Sequence, residues 1–377
     1  MHWKLCSIIK EYSLSYIIPK SGIDSINPYK GGSHNISEEN MINLASNESS
    51  IGPSPNVIKS LNNINELISR YPDGSTFLLR KAISNKYNLE MDRISCGAGS
   101  DELIDILVRS FAGPSDEVLF SQYGFLMYSI AARCNGAIPV AAPEYDFKTD
   151  IHSILSSISS RTKVILIANP NNPTGSYLNI TELELLSREV PNNILLVIDS
   201  AYAEYVEKDD YDSGISLVKK YENIVMTRTF SKLYGLASLR LGWSYSSKYI
   251  AEIINKVRQP FNVNSYAQLA GIEALNDLEH ERLIVKINSE NLPKLINGLE
   301  LFGLKVLPSV ANFVLVKLRD SDYTNSLYKY LINKNILVRQ VTAYNLPEYL
   351  RITVGNISEV DILLKTMEGF VKNYNGK

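Results

Sequence analysis

The chain has 377 residues, 45% hydrophobic and 21% charged, the composition of a globular protein with room for a sizeable core and two or three domains. Its formal charge of −2 removes the excess of Lys and Arg that nucleic-acid or anionic-membrane binding needs. Three cysteines without CxxC spacing and four histidines without a ligand-pair motif predict neither a disulfide framework nor a metal site.

Residues 1–19 carry two short apolar patches broken by Lys10, Glu11 and Ser13, which reads as a mature cytoplasmic N-terminus rather than a signal peptide. No apolar run reaches the roughly 18 residues of a membrane span. Residues 19–54, rich in Pro, Gly, Ser and Asn, read as an extended arm. Ser54 as N-cap and Pro55 at the first position predict a helix, with Val57, Leu61, Ile64 and Ile68 at helical spacing. From about residue 92, β-like runs at Glu117–Phe120, Lys163–Ala168, Ile194–Asp199 and Asn223–Thr227 alternate with helical patterns. Such alternation predicts an α/β domain with a mainly parallel sheet. Beyond Leu304 the pattern changes to strands at 304–307, 312–317, 336–339 and 349–354, with helices at 324–334 and from 357. The predicted division is an arm and the start of a small domain (1–54), a large α/β domain (55–275) and a small α+β domain (276–377).

In an open α/β sheet, ligands bind beyond the carboxyl ends of the strands, and four segments there are unusual. Cys96-Gly97-Ala98-Gly99-Ser100-Asp101-Glu102 leads into an amphipathic helix. Its free N–H groups suit an anion, although an ordinary N-cap with acidic first-turn residues explains the same sequence. Asn169-Pro170-Asn171-Asn172-Pro173-Thr174-Gly175 is a rigid turn displaying Asn172 at a strand end. Asp199 closes a fully apolar strand, where a buried carboxylate demands a cation or several donors. Most specific is Thr229–Trp243. Lys232 just past a strand can act as a nucleophilic amine once its pKa falls, and Arg240, eight residues on, can aim its fork at a phosphate.

These segments, with Asn47-Glu48, Gly52-Pro53-Ser54-Pro55, Arg70-Tyr71-Pro72-Asp73-Gly74 and Leu350-Arg351-Ile352-Thr353-Val354-Gly355, run in one order over nearly the whole chain from Leu44. Together they resemble the fold-type I pyridoxal-phosphate aminotransferases of class I/II, most closely the histidinol-phosphate aminotransferases. The resemblance implies a large domain with a mainly parallel central sheet plus a small α+β domain. It implies pyridoxal 5'-phosphate as cofactor, held as a Schiff base by Lys232, which would also move the proton at the substrate Cα. Asp199 would pair with the pyridinium nitrogen and Tyr202 and Asn172 with the ring oxygen, while Tyr123 would stack on the ring face. Backbone N–H groups around Gly99 and Ser100, with Ser231 and Arg240, would hold the phosphate.

For substrates, the resemblance gives Arg351 the α-carboxylate and Arg339 the phosphate of histidinol phosphate, although a surface Arg at a strand end explains Arg339 equally. Asn47 and Ile51 would line the substrate side. Ile51 stands where the family carries a tyrosine or leucine, so a pocket tyrosine is absent. Tyr71 would reach a neighbouring subunit's site in a homodimer, with Arg258 and Asn264 as weaker candidates for that shared site. The implied activity is ping-pong transfer from histidinol phosphate to 2-oxoglutarate in cytoplasmic histidine biosynthesis. The rivals are an aromatic amino-acid aminotransferase and a decarboxylase of amino-acid phosphates.

Overall fold

Seven short strands build the larger sheet in the computed structural model, which describes residues 19–28, 41–62 and 68–375. They are β1 (Ile94–Gly97), β2 (Glu117–Ser121), β3 (Ile138–Ala142), β4 (Thr162–Ala168), β5 (Leu195–Asp199), β6 (Ile224–Thr229) and β7 (Gly242–Tyr245). Their spatial order is β1-β7-β6-β5-β4-β2-β3. Only β7 among them runs antiparallel to its neighbours; the remaining pairings are parallel. The central strands are apolar without interruption because both faces are covered, as parallel sheets require. Ile165, Ile167, Leu196 and Ile198 enter the core on one face, and the alternating Val164, Leu166 and Val197 enter the core on the other.

The smaller sheet holds β8 (Lys305–Val306), β9 (Phe313–Lys317), β10 (Arg339–Val341) and β11 (Leu346–Thr353) in the order β8-β9-β11-β10, antiparallel throughout. The single strand expected at 336–339 is two. Ile336–Leu337 pairs in parallel with Ile42–Asn43, and Arg339–Val341 turns onto the sheet edge with a register shift at Gln340/Val341. Leu44 thereby enters the core of the smaller sheet. The helix Leu278–Glu300 gives Ile284 to the larger core and Leu295 and Leu299 to the smaller.

Ser54 caps the helix Pro55–Leu61, its side chain accepting from the Asn56 N–H. That helix is shorter than its periodicity predicts. Ile68 is 71% exposed, and Ile64 lies outside the described residues. No helix among the described residues is long and apolar enough to cross a membrane.

Candidate active site

β4, β5 and β6 end side by side, with Ala168 opposite Asp199 and Asp199 opposite Thr227. The segments after them therefore converge at the carboxyl edge of the sheet, where open α/β folds bind ligands. A cavity of about 270 Å³ opens there, and Ser100, Asp199, Lys232, Arg240, Arg339 and Arg351 all line it. The segment Ala45–Glu48 forms part of its wall from the small-sheet side.

One end is built for an anion. Gly99 has φ +87° and precedes the helix Ser100–Phe111, whose first N–H groups have no intrahelical acceptor. A Cβ on Gly99 would lie 2.5 Å from Arg240 Nη2, so only glycine lets the guanidinium lie against this turn. Arg240 Nη1 donates to Ser231 Oγ at 3.3 Å, while Nη2 donates to Asp101 Oδ2 at 3.1 Å. Ser100 and Ser231 are buried. The Thr229 hydroxyl accepts from the Ser231 N–H at 3.1 Å and fixes the turn leading to Lys232.

At the centre, Asp199 is buried and each oxygen has a donor. Tyr128 OH donates to Oδ2 at 2.8 Å and Thr227 Oγ1 to Oδ1 at 3.1 Å. Burial nonetheless raises its pKa to about 6, against the pull of the Tyr128 hydrogen bond and with help from the nearby charge of Asp101. Such a carboxylate is primed for a cationic partner. Lys232 Nζ donates to the Ser46 carbonyl at 2.8 Å and lies 5.8 Å from the centre of the Tyr202 ring. Burial first, and the Arg351 charge second, lower its pKa to about 8, which gives a useful fraction of nucleophilic neutral amine near neutral pH. Tyr202 OH accepts from Asn47 Nδ2 at 2.9 Å. Asn47, in the left-handed region at φ +54°, is also tied to Thr353 by its backbone N–H at 2.9 Å.

The opposite side is cationic. Arg351 and Arg339 stand opposite each other on β11 and β10. Arg351 is buried and donates to Asn172 Oδ1 at 2.5 Å and to the Ala45 carbonyl at 2.6 Å.

Besides Gly99, which shapes the turn before Ser100, and the weaker candidates Arg258 and Asn264, three expected residues are not in the cavity lining. Tyr123 stacks on Phe147, ring centres 5.3 Å apart, and packs beside the smaller-sheet cluster of Leu315, Tyr344 and Tyr349. Phe125, two residues on, lines the cleft instead. Ile51 is 37% exposed at the turn before Gly52. Tyr71 is 83% exposed and stacks on Phe261 at 4.6 Å. Arg258 ties its loop to the Gly74 carbonyl at 2.6 Å, and Asn264 caps the helix Ser265–Asn276. Sequence reasoning missed Phe125, Tyr128, Thr227 and Glu48. The need of a buried Asp199 for donors signals that residues like Tyr128 and Thr227 must exist, but not where they are.

This fold and cleft are those of a transaminating enzyme. The chain belongs to the aminotransferase class I and II family, whose model matches residues 39–367. Among curated proteins it is similar to the histidinol-phosphate aminotransferase of Rhodospirillum centenum, 44% identical over 94% of this chain and 99% of that protein. It is also similar to that of Pelagibacter ubique, 45% identical over 91% and 96%. Among solved structures, the histidinol-phosphate aminotransferase of Sinorhizobium meliloti in complex with pyridoxal-5'-phosphate superposes with a TM-score of 0.88 at 24% identity, covering 97% of this chain and 100% of that one. The L-threonine-O-3-phosphate decarboxylase of Porphyromonas gingivalis shares the fold at a TM-score of 0.77 and 22% identity, over 88% and 100%.

Proposed function

We propose that this chain is a pyridoxal-phosphate aminotransferase that takes the amino group of histidinol phosphate and passes it to 2-oxoglutarate, in histidine biosynthesis in the cytoplasm. The observation that carries this reading is the pair Arg339 and Arg351, in register on adjacent strands and facing the same cleft as Lys232 and Asp199. Two guanidinium groups beyond the reacting centre suit a donor with a phosphate and an acceptor with two carboxylates. The names carried by relatives at 44% and 45% identity agree with it.

The donor set fits the cofactor group by group. Gly99, Ser100, Ser231 and Arg240 would hold its phosphate, and the primed carboxylate of Asp199 its ring nitrogen. Tyr202 and Asn172 would hold the ring oxygen. Asn172 Oδ1 already accepts from Arg351, so its amide N–H is the donor left for that oxygen. Phe125, which lines the cleft, would stack on the ring in place of the expected Tyr123. When bound, pyridoxal phosphate would supply the carrier for the amino group and an electron-withdrawing ring for the pair left at the substrate Cα. Lys232 holds the cofactor through Nζ and moves the proton at that carbon. Arg351 orients the acceptor's α-carboxylate, and Arg339 the donor phosphate or the distal carboxylate.

An aromatic pair as exposed as Tyr71 and Phe261 supports a homodimer in which a second copy covers it; sedimentation of the loaded protein tests that assembly. The activity is tested by mixing the loaded protein with single amino donors, without acceptor, and following the cofactor absorbance. Rapid change with histidinol phosphate and glutamate, absent in Lys232→Ala, is the expected result. Rapid change with tyrosine or phenylalanine and none with histidinol phosphate would overturn the choice of donor. Release of carbon dioxide from threonine phosphate would point to a decarboxylase.

A further inference from the structure

Among the described residues, three carboxylates line the cleft, Glu48, Asp101 and Asp199. Two are committed: Asp101 pairs with Arg240 at 3.1 Å, and Asp199, which would hold the cofactor's ring nitrogen, lies between Tyr128 and Thr227. Glu48 is different. It sits on the wall shared with Ser46 and Asn47, and its Oε2 accepts a hydrogen bond from Asn43 Nδ2 at 3.2 Å. Asn312 Nδ2 donates to the Asn47 carbonyl at 3.1 Å and to the Glu48 carbonyl at 3.4 Å, fixing the backbone from which the side chain projects. The carboxylate is close enough to Lys232 to oppose the lowering of its pKa.

An acid on the wall of a cleft that Lys232, Arg339 and Arg351 also line repels a dicarboxylate acceptor. It suits a donor that, besides its reacting amino group, carries an N–H or a cation. Imidazole offers both, with an unperturbed pKa of about 6.5. Ile51, which supplies no polar group and is not in the lining, leaves this recognition to Glu48.

We propose that Glu48 selects the imidazole ring of the donor, accepting its N–H and pairing with the ring when it is charged, while Asn43 holds the carboxylate aside when the acceptor occupies the cleft. Glu48 is thus a specificity residue whose effect has opposite sign for the two substrates. The inference rests on the histidinol-phosphate reading above.

The test uses the holoenzyme and its Glu48→Gln and Glu48→Ala variants, with steady-state KM and kcat for histidinol phosphate, for 2-oxoglutarate and for the ring-free donor 2-aminopropyl phosphate. The KM for histidinol phosphate should rise about ten-fold in Glu48→Gln and further in Glu48→Ala, the range of one lost charged hydrogen bond. The KM for 2-oxoglutarate should stay or fall, and the preference for histidinol phosphate over 2-aminopropyl phosphate should collapse in step with the first change. A parallel rise of both KM values with falling kcat would make Glu48 a structural residue and overturn the proposal, as would an unchanged preference between the two donors. A wild-type holoenzyme inert toward histidinol phosphate would instead overturn the reading on which the proposal rests.

Discussion

The Arg351 guanidinium, carried by a strand of the smaller sheet, donates at 2.5 Å to the side-chain oxygen of Asn172, which follows a strand of the larger sheet. One hydrogen bond thus joins the two sheets across the floor of the cleft. The second Nη group is held by the Ala45 carbonyl at 2.6 Å, and the guanidinium lies 5.4 Å from the centre of the Phe313 ring. The fork is oriented by the protein before any substrate arrives, which reduces the ordering that binding must impose.

Arg351→Lys should therefore cost more than a conservative exchange. An ammonium is a compact point charge without the planar fork, and it cannot keep both protein partners while meeting a carboxylate. Losing one or two charge-assisted hydrogen bonds, at roughly 1.5–3 kcal/mol each, predicts a drop in kcat/KM for 2-oxoglutarate on the order of a hundred-fold. Steady-state kinetics with the acceptor varied measures it directly. A loss below three-fold would mean that the carboxylate binds elsewhere.

Asp199 provides a prediction in which stability and activity move apart. Its pKa is raised from 3.8 to about 6 in the fold, chiefly by burial. A carboxyl with a raised pKa contributes its full stability below about pH 3.8, and loses it as pH climbs through about 6. In the apoprotein at pH 7.5 the buried charge is a standing cost on the order of 3 kcal/mol. Asp199→Asn should then raise the urea midpoint of the apoprotein at pH 7.5, and the gap to wild type should close below pH 4. The same variant should lose activity by at least about a hundred-fold, since a neutral amide cannot hold a positive charge on the cofactor ring. An apoprotein variant less stable at pH 7.5 than wild type would contradict the assignment of burial as the cause.

Much of this architecture was legible in the residues themselves. Ile194–Asp199 and Lys163–Ala168 announce interior parallel strands by their unbroken apolar runs, and the segments that follow them announce the site. Less legible were features set by distant parts of the chain. The run at 336–339 divides because Ile42–Asn43, almost three hundred residues earlier, supplies a partner for its first half. Tyr123 and Phe125 are both aromatic and two residues apart; Tyr123 packs with Phe147 and the smaller sheet, which the local sequence does not reveal. The donors to Asp199 come from a helix and a neighbouring strand, and no spacing rule connects them.

Gly99 tests the anion end. Its φ of +87° already disfavours any side chain, and a Cβ there meets the guanidinium of Arg240. The end of an arginine can yield, so Gly99→Ala should fold, at a cost of about 1–3 kcal/mol for the backbone strain. What it should not keep is the position of Arg240 beside Ser231. Dissociation of pyridoxal phosphate, followed by dialysis or by absorbance, should accelerate by about ten-fold or more, with inorganic phosphate competing less well for the apoprotein. Wild-type cofactor retention in a folded Gly99→Ala protein would remove Arg240 from the phosphate-binding set.

Arg228, next to last on β6, and Glu204 form a buried ion pair at 3.3 Å, with side chains 9% and 5% exposed. The guanidinium lies 4.9 Å from the Tyr87 ring centre and 5.9 Å from that of Trp243, and its Nε finds no hydrogen-bond acceptor among the described residues. Burial raises the pKa of Glu204, against the pull of Arg228. The pair joins the segment just after Tyr202 to the strand just before Lys232. Taking both charges from water offsets much of their attraction, so the intact pair contributes little net stability. Removing one partner is another matter. Arg228→Met alone should destabilise the protein by about 3–5 kcal/mol, because Glu204 keeps a buried charge with no counter-ion. The double variant Arg228→Met, Glu204→Gln should recover most of that loss. A thermodynamic cycle from urea unfolding of the four proteins measures the coupling, and simple additivity of the two single changes would show that the pair acts through packing on Tyr87 and Trp243 rather than through charge.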